Sequence, residues 1–141
     1  MTIDLGGINY LAVLVAGLAT FILGGIWYSA VFGKLWRRLH GYSEEKIKEM
    51  QAKMSPPLFF GGMILCYLVL GLVVAVLVTA FKIESAYGGA VLGALLWLGP
   101  AAAIGMTGHL ASGKRFGIFL IDASFQLSYL VLMGVVLGTW R

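Results

Sequence analysis

The sequence predicts an all-α protein, a four-helix bundle embedded in a membrane. Three observations carry that expectation. Four apolar runs take up most of the 141 residues, and at about twenty-five residues each they are long enough to cross a hydrocarbon layer. Charged residues make up 11% of the chain, less than half of the ~25% usual in a globular protein and too few to cover a soluble surface. Eight of the ten Lys and Arg residues fall in just two of the connections between runs. The expected spans are about 8–32, 57–81, 87–109 and 116–140, within a single domain covering 1–141.

Met1–Gly7 carries one charge, Asp4, and lacks the basic start of a signal peptide. In the first span, Asn9 and Tyr10 sit at one interface and Trp27 and Tyr28 at the other, as aromatic belts do. Ala12, Ala16, Thr20 and Gly24 recur every four residues, with Gly17 and Gly25 beside them. This small-residue face suits close helix packing, the alternative being a ligand groove.

The polar segment 33–56 holds six basic residues, Lys34, Arg37, Arg38, Lys46, Lys48 and Lys53, against Glu44, Glu45 and Glu49. Ser43 is a good N-cap with two acids in the first turn behind it. Glu44–Lys48 and Glu49–Lys53 have favourable i,i+4 spacing. Ile47, Met50 and Met54 form a narrow apolar stripe. The reading is a short amphipathic helix over 43–54 at the membrane surface, as an anionic-lipid or protein contact or as an ordinary loop helix. Pro56-Pro57 then opens the second span.

The second span has no ionisable side chain, and its Cys66 reads as a buried packing residue. Gly62 with Cys66, and Gly71, Ala75 and Thr79, form small faces. The short connection 82–86 makes spans two and three antiparallel neighbours. In span three Gly89, Gly93, Ala101 and Gly105 share a face with Trp97, and Pro100 should kink the helix. A Ser-Gly turn within 110–115 leads into span four, which ends on Gly134, Gly138 and Trp140. The Lys/Arg bias places 33–56 and 110–115 in the cytoplasm and both termini outside.

The chemistry available is sparse. Asp122 lies about 9–10 Å into span four. At that depth an acid costs about 2.5–3.5 kcal/mol and should face protein or water. Gln126, Tyr129 and Met133 continue its stripe. His109, near the end of span three, could approach Asp122 as a proton relay or a structural hydrogen bond, or make no contact at all. With Asn9, these residues form the expected polar seam: Asp122, Gln126, His109 and Asn9. No catalytic triad, metal-ligand spacing or nucleotide-binding loop appears, so no catalytic residue, metal or cofactor is expected. The net charge of +4 reflects membrane orientation rather than nucleic-acid binding. The expected partners are the lipid bilayer and a second copy of the chain, a dimer being the commonest closed assembly.

Asn9-Tyr10, the block GGIWYSAVFGKLW over 24–36 and the ending FLIDASFQLSYLVLMGVVLGTW over 119–140 resemble the small bacterial membrane proteins of domain-of-unknown-function family 1761. The resemblance covers nearly the whole chain. It implies a four-helix bacterial membrane protein of unassigned activity, with Trp27, Tyr28, Ser29, Phe32, Gly33 and Trp36 as its characteristic block and Asp122, Gly134 and Trp140 as further characteristic positions. Two functions are open: a helix-packing, binding or partner-subunit module, and a small oligomeric transporter with Asp122 and Gln126 lining a polar cavity. An enzyme is the weakest reading.

Overall fold

The computed structural model describes residues 3–140. Met1, Thr2 and Arg141 lie outside them, and with Arg141 goes one of the two basic residues counted on the sparse side of the expected orientation. Among the described residues the chain is all helix and irregular connection: α1 (Tyr10–Val31), α2 (Gly33–His40), α3 (Glu44–Lys53), α4 (Pro56–Ala80), α5 (Ala86–Ser112) and α6 (Phe116–Thr139). Helices α1, α4, α5 and α6 are each long and apolar enough to cross a membrane. Their ends lie within a few residues of the sequence-based spans.

The caps follow local chemistry. The Asn9 carboxamide oxygen accepts from the Ala12 amide at 3.0 Å, so Asn9 precedes α1 instead of lying within it. Ser43 caps α3 through the Lys46 amide, and Ser85 caps α5 through Gly88. Gly41 ends α2 with φ +72°, a left-handed cap that glycine adopts freely, and the Tyr42 amide closes the turn on the Arg37 carbonyl. Two stretches wind as π-helix: Trp27–Val31 at the end of α1, and Trp97–Ala103 around Pro100 in α5. Pro100 has no N–H to give, and the backbone accommodates it by widening the turn.

Helix α6 is the hub, packing on α1, α2, α4 and α5. Its tightest partner is α5. A Cβ at Gly89 would lie 1.9 Å from the Gly134 carbonyl oxygen, and one at Gly93 would lie 2.3 Å from that of Leu130. The two backbones touch where side chains would hold them apart. This pairing corrects one expectation: α5 packs chiefly along α6 and only marginally on α4, although the 82–86 connection is short. The core gathers Ala12, Val13 and Ala16 of α1, Val74, Ala75 and Val78 of α4, and Leu130, Met133 and Leu137 of α6.

The small faces invoked for a dimer are used inside one chain. Ala12, Ala16 and Thr20 are wholly buried, Gly24 lies under the Phe125 ring, and Gly134 and Gly138 meet Gly89 and Ser85. Gly25 and Gly62 have open space around them. Cys66 is exposed, correcting its reading as a buried residue, because α4 turns Gly71, Val74, Ala75 and Val78 inward. In α3, Glu49 pairs with Lys53 at 2.9 Å and with Lys46 at 3.7 Å, and the expected Glu44–Lys48 pair is not formed.

Replacing Gly89 with Val should therefore break the α5–α6 contact, since the new atoms meet backbone rather than a movable side chain. A loss of about 3 kcal/mol is expected, the upper end for overpacking. Gly62→Ala should leave thermal unfolding in detergent unchanged. Equal melting temperatures for the two variants would contradict the backbone contact.

Candidate functional site

Three consecutive residues of α6 receive four donors from the rest of the chain. The Trp27 indole donates to the Ile121 carbonyl at 3.2 Å, and the Trp97 indole donates to that of Ala123 at 2.7 Å. Between them the Asp122 carboxylate accepts from the Tyr28 hydroxyl at 2.5 Å and from the Trp36 indole at 3.2 Å, both at Oδ1. Asp122 is thus held by α1 and α2 on one side of α6, while α5 grips the neighbouring main chain. A carboxyl group out of bulk water needs such donors, because leaving it unbonded costs several kcal/mol.

The local sequence around Phe32 makes this grip possible. The π turn Trp27–Val31 ends at Phe32, whose amide bonds the Trp27 carbonyl at 2.8 Å and whose ring packs on Trp27 at 5.2 Å. Gly33 follows because a Cβ there would lie 2.7 Å from the Tyr28 carbonyl oxygen. The chain then re-enters helix as α2, which brings Trp36 back over Asp122. Ser29 bonds the Gly25 carbonyl within its own helix and does not reach α6. Below the carboxylate, Phe125 is ringed by Trp27, Tyr28, Tyr67 and Tyr129 at centroid distances of 4.9–6.5 Å.

Asp122 also lines a cavity of about 360 Å³ between α2, the C-terminal end of α5 and the first half of α6. Its walls include Trp36 and His40 of α2, Gly105, Gly108 and His109 of α5, Lys114 of the turn, and Gln126 of α6. The His109 ring packs on Phe116 and Phe119. The His40 ring lies 4.1 Å from Trp36 and stacks on Tyr42 at 4.9 Å. Its Nε2 is buried with no hydrogen-bond partner among the described residues. Burial, then the Lys114 ammonium, hold the His40 pKa below its ordinary value, against a smaller upward pull from Asp122.

The structure thus brings together three of the four residues of the expected seam. Asp122, Gln126 and His109 share the cavity, whereas Asn9 caps α1 about 28 Å of helix away from Tyr28. Asp122 bonds neither Gln126 nor His109 among the described residues; its donors come from the aromatic block. Of that block, Trp27, Tyr28 and Trp36 touch α6, and Phe32 and Gly33 shape the turn that lets them. Sequence reasoning missed His40, Lys114 and the Trp97 bond. The one available signal was the recurrence of Trp at 27, 36 and 97 beside helix ends and breaks. Among the described residues, no three His, Cys, Asp or Glu side chains group as a metal ion would require.

A family model described as a protein of unknown function (DUF1761) matches residues 11–138. The match spans the aromatic block and Asp122, and leaves Asn9 and Trp140 outside. No curated protein matches the chain, and no solved structure does.

The depressed pKa of His40 gives a pH dependence of definite sign. The folded chain binds this proton less readily than the unfolded chain, so the contribution is intact above about pH 6.5. It is lost as pH falls through that value toward the folded-state pKa. Thermal stability in detergent should decline over that interval, and His40→Gln should flatten the decline. An identical pH profile for the variant would refute the assignment to His40.

Proposed function

The chain belongs to the family of proteins of unknown function (DUF1761), and from that premise we propose that it is a small integral membrane binding module. Helices α1, α4, α5 and α6 cross the bilayer, and the cavity beside Asp122 takes a small polar solute at one membrane face. The observation that carries this reading is the double use of Asp122, which is tied into the bundle through Oδ1 and borders the cavity with Gln126 and His109. The membrane setting is supported by large apolar side chains turned outward, among them Leu58, Leu65, Leu95, Ile104, Leu110 and Leu120, each more than half exposed. A water-soluble surface rarely carries so many together.

The proposed location is the bacterial cytoplasmic membrane. Segments 33–56 and 110–115 lie in the cytoplasm and the termini outside, as the eight basic residues of those segments favour. A cysteine introduced at Ser43 should then label only from the cytoplasmic side; preferential labelling from outside would reverse the topology. The proposal includes a dimer, now supported only by small residues left open, such as Gly25, Gly61 and Gly62. A second reading, an oligomeric transporter with Asp122 and Gln126 in its pathway, is favoured by their shared cavity.

Asp122→Asn separates the two. Asparagine keeps an acceptor for Tyr28 and Trp36, so the variant should fold with a stability change near the ~0.6 kcal/mol typical of a hydrogen bond between membrane helices. Asp122→Leu strands a phenol and an indole and should cost about 1–3 kcal/mol for each donor left unpaired. Proton-coupled flux in proteoliposomes that vanishes in a well-folded Asp122→Asn variant would select the transporter over the binding module.

A further inference from the structure

Helix α2 has a second face that the cavity does not use. Lys34, Arg37 and Arg38 stand at i, i+3 and i+4, so they share one side of the helix, and all three are exposed. Among the described residues none of them is in an ion pair, and no acid lies between Gly33 and Tyr42. We infer that this face of α2 is a docking surface for the phosphate-bearing headgroups of anionic phospholipids. The inference rests on the reading of the chain as membrane-spanning.

Position and charge both favour a lipid occupant. Only Phe32 separates α2 from α1, so the three cations stand at the end of an apolar helix long enough to span. The helix cannot roll to turn them elsewhere, because its opposite side is pinned. Trp36 donates to Asp122, and Leu39 sits over Gly117, where a Cβ would come within 2.8 Å of its Cδ1. Exposed Leu35 gives the same helix an apolar flank that can enter the interfacial layer while the cations stay at headgroup level. Two guanidinium forks and an ammonium match phosphate oxygens in charge and geometry.

The comparison with α3 decides which segment does this. The three lysines of α3 face three glutamates, Glu44, Glu45 and Glu49, for a net charge of zero, and Lys46 and Lys53 both reach Glu49. Helix α2 carries three positive charges and no negative one. Of the two short helices, α2 therefore has the uncompensated charge that an anionic headgroup requires, and α3 does not.

The test uses the full chain in nanodiscs of phosphatidylcholine and phosphatidylglycerol, with retained lipids counted by native mass spectrometry. Wild type should enrich phosphatidylglycerol, less so as salt rises. K34Q/R37Q/R38Q should lose that enrichment, single substitutions lowering it by about fivefold each, and K46Q/K48Q/K53Q should keep it. Undiminished enrichment in the α2 triple variant, or its loss in the α3 variant, overturns the inference. So does displacement of the lipid by inorganic phosphate, which would mark a free-phosphate site. Alkaline carbonate extraction keeps the two readings apart. A chain released from the membrane defeats the spanning reading itself, while an embedded chain without enrichment defeats only the lipid surface.

Discussion

The carboxylate of Asp122 constrains more of this molecule than any other group. A carboxyl side chain two turns inside an apolar helix requires hydrogen-bond partners from elsewhere, and the chain supplies Tyr28 and Trp36. Bringing both to one oxygen requires α1 to end where it does, the backbone to turn at Phe32-Gly33, and α2 to fold back over α6. The position of α2 then sets one wall of the cavity, through Trp36 and His40, and turns Lys34, Arg37 and Arg38 outward. One polar atom thus links the fold of the first connection, the lining of the cavity and the charge pattern at the surface.

The other end of the bundle is built on the opposite principle. There α5 and α6 meet backbone to backbone at Gly89, Gly93, Gly134 and Gly138, and Val74, Met133 and Leu137 fill the space beside the contact. Close backbone approach gains dispersion contacts and tolerates no added volume. The aromatic layer around Phe125 separates this dry half from the polar one. Because hydrogen bonds between membrane helices are individually weak, the glycine contact and the buried aliphatics hold the bundle, while the bonds at 121–123 set its register at the cavity end.

The spans were legible because apolar length is a property of local sequence, and each boundary fell near a Pro, Ser, Gly or basic residue. Asp122, Gln126 and His109 were legible as exceptional side chains in apolar surroundings. What joins them to the rest was not. Tyr28 and Trp27 lie 94 residues from their partners and Trp36 lies 86 away, and no helical spacing reports such a contact. Helix α2 escaped notice because it has only eight residues and begins at glycine, with no side-chain cap. Its basic face was read as loop charge for the same reason. The small faces of α1, α5 and α6 were legible as packing faces, but Cys66 was misjudged, because composition shows which faces can pack while only the arrangement of all four helices shows which ones do.

The two π turns give the cavity end a further property. Each opens with a tryptophan, and each of those indoles bonds a main-chain oxygen of α6, on either side of Asp122. Widened turns are rare and short in helices, and here each is tied across the bundle to α6 by its tryptophan. The second turn has an evident cause in Pro100. The first contains no proline, and its Ser29 hydroxyl bonds the carbonyl of Gly25 in the regular helix just before it. Such side-chain bonding to a carbonyl one turn back bends helices. Both irregular turns therefore depend on α6 for their support, at the level where α6 carries its one acid. The glycine-packed end needs no such help, so the least regular backbone of the long helices is concentrated beside Asp122 and its cavity.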